Sequence, residues 1–542
     1  MSNTSRFQPR PTRWKLAVTL LVICLMAQLL AGCALGGKSE GKAKKENAST
    51  SPIQYQINAN WNEQTRTIQS EAVVTIRNVF NRNLKELVFH WFADSYRKPE
   101  TMPVQFKQRN EQIRNQSPQD DAHNSHSIDD RFFGGITTKK VTTLEGKALQ
   151  FKHANQSMTV TLNKGLAPNE TVSIRIHYEV QVPYGAQRLS YTDDYVGGTY
   201  WTPQLAVFDS IQGGWNRVPN NPKYKSDFFY AADYDVSLNM PASWNVAMTG
   251  SLIDQRVENE RKIVHSNVQN VRHFGFYASP KYIETKVDLP SGGQLSVFTF
   301  EQPDEEQMKK YTAALQDAIG FYSDKIGMLP IKHWKFAEAP FPEMTDSLNE
   351  VILFNRLGAA GNEQGVLSQD VLRSIAKQWF SLAIGHNALT EGFLEEGLSE
   401  FAAQYYRHEQ EGAPWAMSIW NGQYPNLSSL DAWTDPDAGA LVIPSEQWPA
   451  VLFQKQVTTP AFHVGQYSEL LYRVKGAALM VQWVQKAGTE ALDIVWHKYF
   501  QRYNGRMATI DGFTNLIGST LGDARKSNMQ ELLSMTNPKP LA

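Results

Sequence analysis

The sequence predicts an α+β chain of more than one domain, with a β-sandwich first and a mostly helical domain carrying a small sheet after it. Between Pro52 and about Pro290, apolar and polar residues alternate in runs such as YQINANW, SEAVVTIRNVF, SMTVTLN, TVSIRIHYEVQV and ADYDVSLNM, separated by the turn formers N-R-N and A-P-N-E. A period of two is that of half-buried strands. Around Leu289 to Gln294 a P-S-G-G turn marks an expected hinge, and beyond it the apolar period becomes helical. A length of 542 residues allows one or two large domains with appendages, and 42% hydrophobic with 11% aromatic residues supplies sizeable cores. The net charge of −1 argues against nucleic acid as the main partner.

The chain opens with Arg6, Arg10, Arg13 and Lys15, then an apolar run from Leu16 to Leu30, then Ala31, Gly32 and Cys33. This is the layout of a secretory signal, and the run is short for a bilayer span. Its end, L-A-G-C, resembles the bacterial lipobox. That resemblance implies cleavage before Cys33, a diacylglyceryl group on its sulfur, and a protein tethered by lipid to the extracytoplasmic face of the bacterial cell membrane. Cys24 and Cys33 are the two cysteines of the sequence, so the body has neither a disulfide framework nor thiol chemistry. Residues 34–51 are polar and without apolar period, as in a flexible tether. The expected division is therefore signal 1–33, tether 34–51, β-sandwich domain 52–290 and helical domain 291–542.

Within the β-region, Asp94 to Arg131 is polar, and its His123 and His126 are read as residues of a solvated loop. The clusters Tyr200-Trp201 and Phe228-Phe229-Tyr230 are read as core or inter-domain packing. In the second region, Tyr311, Ala314, Leu315, Ala318, Ile319 and Tyr322 predict a helix over Met308 to Ile326. It would pack on a sheet that includes WKFAEAPF and EVILFN. The last quarter, from Gln466, reads as helices: YSELLYRVKGAALMVQWVQKAG, EALDIVWHKYFQRY and TIDGFTNLIGSTLG.

The functional question centres on Leu372 to Glu400. Leu372, Ile375, Ala376, Trp379 and Phe380 form one apolar helical stripe, with Ser368 placed to cap it, and Leu394, Leu398, Phe401, Ala402 and Tyr405 form a second, from near Phe393. Arg373 and Lys377 are four apart on the first helix, and Glu396 follows Lys377 by nineteen positions. This frame resembles the membrane alanyl aminopeptidases, the M1 family of gluzincin zinc peptidases. There the first helix reads H-E-x-x-H-Q-W and a glutamate follows the second histidine by nineteen positions inside W-L-N/D-E-G. Here the frame reads R-S-I-A-K-Q-W-F and F-L-E-E-G-L, keeping Gln378, Trp379, Leu394, Glu396 and Gly397. The N-x-x-L-x-x-L-x-F register from Asn81 to Phe89, then Gly135-Ile136, then Tyr234-Asp235-Val236 leading to Pro241 and Thr249-Gly250, follow in the order of that family's amino-terminal saddle. The resemblance implies a saddle-like sandwich followed by a thermolysin-like domain.

The same frame shows where the chain departs from the family. The zinc-binding histidine slots hold Arg373 and Lys377, and the general-base slot holds Ser374. Arginine stays protonated and has no lone pair to offer, a lysine would have to ligate against a pKa near 10.4, and one carboxylate does not hold zinc. The family's tyrosine, three positions before the glycine of a K-G pair, stabilises the oxyanion. Its slot before Lys475-Gly476 holds Arg473, with Tyr472 adjacent, and one residue turns a helical side chain by about 100°. The family's amine-binding G-x-M-E-N has its nearest match at Pro342-Glu343-Met344-Thr345-Asp346, which places Met344 and Thr345 at a substrate-binding position, with Glu343 or Glu350 as neighbouring carboxylates.

No cofactor is expected. The expected function is a non-catalytic pseudopeptidase that binds peptides or scaffolds a membrane protein. In place of metal, Arg373 and Lys377 are expected to salt-bridge Glu396, and the +1 sum of the three would favour acidic groups in the cleft. The other reading is an active zinc metallopeptidase using different ligands, such as His386 with Glu396 and Glu400.

Overall fold

The computed structural model describes residues 51–103, 130–185, 188–209, 214–340, 346–354, 366–415 and 454–536. Cys33 and tether residues 34–50, His123 and His126, and Glu343, Met344 and Thr345 lie outside these.

The alternation of the first half becomes sheet because each strand has one face to bury. In Ile53–Asn62, Ile53, Tyr55, Ile57, Ala59 and Trp61 are buried, and the residues between them are more open. This strand lies at the middle of a seven-stranded sheet in the order Ser251–Glu258, Arg261–Val271, Ala232–Pro241, Ile53–Asn62, Thr67–Arg77, Thr171–Gln181 and Gly135–Thr143. It runs parallel to Ala232–Pro241, while the other neighbours are antiparallel. A four-stranded sheet of Gln204–Leu205, Leu84–His90, Ser157–Leu166 and Phe151–Ala154 shares its core, with Trp61, Trp91 and Trp201 fully buried in it. This is the expected sandwich.

A five-stranded sheet then begins the second half, in the order Ile283–Asp288, Gln294–Thr299, His333–Glu338, Val351–Phe354 and Asp346–Leu348. Its first two strands form an antiparallel hairpin, so the hinge expected at Leu289 to Gln294 is the turn of that hairpin. Gly292 and Gly293 stand at φ +88° and +97°, and Leu289 N–H donates to Gly293 O over 3.0 Å. A glycine pair serves a tight turn as well as a hinge, and sequence alone did not separate the two.

Helix α1 (Glu305–Ile326) starts on an Asp304 cap that accepts from Gln307 N–H at 2.9 Å, and it lays Tyr311, Leu315, Ile319 and Tyr322 on this sheet. Around it pack α2 (Gln369–Lys377), α3 (Leu398–Glu411), α4 (Gly476–Ala487), α5 (Thr489–Tyr503), α6 (Ile510–Leu521) and α7 (Asp523–Ser534). The chain thus has a β-rich first half and a mostly helical second half with a small sheet.

Arg272 joins the halves. Buried at 4% exposure, its guanidinium donates to Phe229 O at 2.9 Å on the β-side, and to Ala383 O at 3.3 Å and Arg506 O at 2.8 Å on the helical side. Burial without a carboxylate lowers its pKa to about 10. Gly385 leaves room for it, since a Cβ there would meet Arg272 Cζ at 2.2 Å.

Candidate functional site at the crossing of two helices

Ser368 caps α2 as expected, accepting from Val371 N–H at 3.3 Å. The stripe Leu372, Ile375, Ala376, Trp379 and Phe380 is wholly buried. The helix then widens into a π turn over Gln378–Ala383, and α3 is preceded by a second π turn over Phe393–Gly397. A third spans Leu471–Lys475 just ahead of α4. Single π turns inside helices gather at functional sites, and the turn over Phe393–Gly397 lies against both of the others.

Glycine sets the close approach there. A Cβ on Gly476 would meet Gly397 Cα at 3.0 Å, so the Lys475-Gly476 pair lets α4 pack directly on the Glu396 segment. Gln378, shared with the peptidase frame, braces the floor: its Oε1 accepts from Glu350 N–H and its Nε2 donates to Leu348 O, each at 2.9 Å. Trp379 Nε1 donates to Gly327 O at 2.6 Å.

The charged side chains meet on Glu396. Arg373 Nη1 lies 3.0 Å from its Oε2, and Lys377 Nζ lies 2.7 Å from its Oε1. Two cations therefore hold one buried carboxylate, as the spacing led us to expect. Arg373 also reaches Asp370 at 3.3 Å and Glu469 at 3.8 Å. Arg473, in the tyrosine slot, is fully buried and binds Glu400 at 2.7 Å and Asp370 at 3.1 Å. Tyr472 packs with Leu389, Ala461 and Leu471, and donates to Thr459 O at 2.6 Å. Ser374, expected to stand in the general-base slot, is buried.

Glu395, the neighbour of Glu396, was not singled out by sequence, yet three groups crowd it. Lys225, from the β-half, lies 2.5 Å away, His386 Nε2 3.1 Å and Lys377 Nζ 3.3 Å. The expected charge of +1 is corrected by this company. Lys225, Arg373, Lys377 and Arg473 are met by Asp370, Glu395, Glu396, Glu400 and Glu469, so the site holds no excess of positive charge to favour acidic ligands. Asp370 and Glu469 were not singled out either; the three-residue spacing of Asp370 to Arg373 was a signal that could have found the first, whereas Glu469 meets Arg373 across helices. Lys225 had no such signal, lying 170 positions from its partner.

These contacts shift the titrating groups in opposite directions. Burial works against the charge of Glu395, but Lys225, Lys377 and His386 hold it well below the usual carboxylate range. Glu396 is lowered too, against burial, chiefly by Lys377 and Arg373, although neighbouring Glu395 opposes them. Asp370 is lowered against burial by Arg473 and Arg373. Glu469 goes the other way, raised by burial and by Glu396. Arg373 remains firmly charged despite burial, through Asp370 and Glu396.

The residues of the second reading are placed differently from its requirement. His386 faces Glu395, Glu396 is taken by Arg373 and Lys377, and Glu400 is taken by Arg473. Among the described residues, no group of three or more His, Cys, Asp or Glu side chains is arranged to hold a metal ion. Glu350, offered as an amine-binding carboxylate, instead accepts from Gly250 N–H at 3.0 Å, and burial raises its pKa against the neighbouring Lys335.

No family model matches the sequence, and no curated protein does. Solved structures do match in fold. The M1 zinc metallopeptidase of Deinococcus radiodurans aligns over 90% of this chain and 93% of its own, with a TM-score of 0.58 at 13% identity. A mutant of that enzyme bound to a Tyr-Ser-Ala substrate gives 0.59 at 14% identity over 90% and 94% of the two chains. A two-domain M1 zinc metallopeptidase mutant bound to L-tryptophan gives 0.59 at 14% over 91% and 96%. The chain therefore has the two-domain fold of the M1 zinc metallopeptidases. The zinc that this fold implies does not fit the side chains present: two cations occupy the ligand slots and neutralise the remaining carboxylate.

Proposed function

We propose that the protein is a non-catalytic relative of the M1 peptidases that keeps the fold for binding or scaffolding and holds it with an ionic cluster where the enzymes hold zinc. One observation carries this reading: Arg373 and Lys377 both close on Glu396. A zinc peptidase needs neutral donors, an open metal position and a base for the attacking water. This chain has a guanidinium, an ammonium and a serine there. The decisive experiment incubates the purified protein with excess zinc, dialyses it, and measures metal content and release of amino acids from an aminoacyl-anilide panel. Substoichiometric metal and no release above buffer are expected. Bound zinc with turnover would overturn the reading.

We further propose that the protein is anchored by lipid on Cys33 at the extracytoplasmic face of a bacterial membrane, where a peptide or a membrane protein would be its partner. The L-A-G-C sequence after an apolar run supports this. Cys33→Ala is expected to abolish the lipid adduct and leave the apolar run of residues 16–30 uncleaved, and a lipid adduct on the mature amino terminus of the unaltered protein is the mass-spectrometric check.

A further inference from the structure

Residues 216–231 connect Gly214–Trp215 to Ala232–Pro241 and run as a strap from the β-half to the helical half. At its start the strap belongs to the β-half: Asn216 N–H donates to Val207 O at 2.7 Å, Arg217 reaches Glu86 at 2.6 Å and Thr159 at 2.7 Å, and Gln156 pairs with the Asn220 backbone. Further on, it touches the helical half at three successive points. The Tyr224 ring packs against the cluster of Leu389, Ala461, Leu471 and Tyr472. Lys225 Nζ lies 2.5 Å from Glu395, and Asp227 O accepts from Ala388 N–H at 3.1 Å.

An apolar contact, an ion pair and a backbone hydrogen bond within four residues of an extended segment are how a peptide is gripped by a receptor. Asp227 secures the strap from behind by accepting from Tyr200 Oη at 2.8 Å, and Tyr200 carries a left-handed φ of +61°, a strained conformation for an aromatic residue. Burial opposes the charge on Lys225, yet Glu395 and Asp227 keep its ammonium above the ordinary lysine value.

We propose that the strap is a built-in occupant of a peptide site. Tyr224 and Lys225 fill positions that would otherwise accept, in trans, an extended peptide carrying an aromatic residue followed by lysine or arginine. This rests on the reading that the fold is kept for binding, and it names the ligand. The aromatic ring would take the Leu389, Leu471 and Tyr472 surface, and the cation would take Glu395.

The test uses the full chain with Tyr224→Ala and Lys225→Ala and, as probe, a fluorescein-labelled peptide of the strap's own sequence, N-P-K-Y-K-S-D, against the control N-P-K-A-A-S-D. Glu395 keeps Lys377 and His386 in this variant. Should the double variant not fold, Lys225→Ala alone is measured, with circular dichroism as the check. Fluorescence anisotropy is expected to show at least tenfold tighter binding of the probe by the variant than by the wild type, and no such gain for the control. Equal affinities of wild type and folded variant, no binding by the folded variant, or equal binding of both peptides would each overturn the proposal. Amino-acid release measured in the same samples bears on the loss of catalysis alone, so the two readings fail separately.

Discussion

Replacing Glu396 by alanine tests the ionic cluster most directly. The carboxylate is 7% exposed and accepts at 2.7 and 3.0 Å from two cations that are themselves largely buried. Removing one partner of a buried pair costs about 3–5 kcal/mol, mainly because the remaining charge is stranded. Here the stranding is partial, since Lys377 keeps Glu395 at 3.3 Å and Arg373 keeps Asp370 at 3.3 Å. We therefore expect about 2–4 kcal/mol. For a cooperative unit of nearly five hundred residues, an unfolding entropy near 2.1 cal/mol/K per residue makes each kcal/mol worth roughly 1 °C. Scanning calorimetry should show Tm lowered by about 2–4 °C. Lys377→Met combined with Glu396→Ala should cost less than the two changes summed, by about 1–3 kcal/mol in a double-mutant cycle. An unchanged Tm for Glu396→Ala, or strictly additive effects, would refute the idea that these charges hold the helices together.

Gly385→Ala would drive a methyl group into the Arg272 guanidinium at 2.2 Å; a loss of about 1–3 kcal/mol in urea unfolding is expected. Glu395, Glu396 and Asp370 are held below their unfolded values, so they bind more protons when unfolded, and their contribution is complete above about pH 5 and lost as pH falls. Glu469, raised, acts in the opposite sense and recovers a part. The urea midpoint should drop between pH 5 and 3.5, and a flat profile would contradict the assignment. The triple change Arg373→His, Ser374→Glu and Lys377→His removes two cations from a site rich in carboxylates; elemental analysis should find about one zinc per chain. Arg473 remains in the tyrosine position, so peptide hydrolysis by this variant should stay at background.

Where one face of an element is buried, the sequence carried the fold. Ile53–Asn62 buries alternate residues, and the apolar residues of α2 keep a helical stripe even though Arg373 and Ser374 between them are buried as well. The pairing of Arg373 and Lys377 with Glu396 was legible for a related reason: a fixed helical frame put complementary charges at fixed offsets. Partners brought in by tertiary contact were not. Lys225 reaches Glu395 through a loop whose path depends on the whole sandwich, and Arg272 finds its carbonyls only after both halves have docked. The π turns were also invisible, since an apolar stripe continues through them with little change in composition.

The wide turn at Leu471–Lys475 contains one residue more than an α turn would. Excising Val474 would shorten it to the usual pitch and set Tyr472 third before Gly476, the spacing at which the peptidases carry their oxyanion-stabilising tyrosine. In the alignment of helical registers, a scaffold with Arg473 locked onto Glu400 and a scaffold offering a phenol at the same place stand one codon apart.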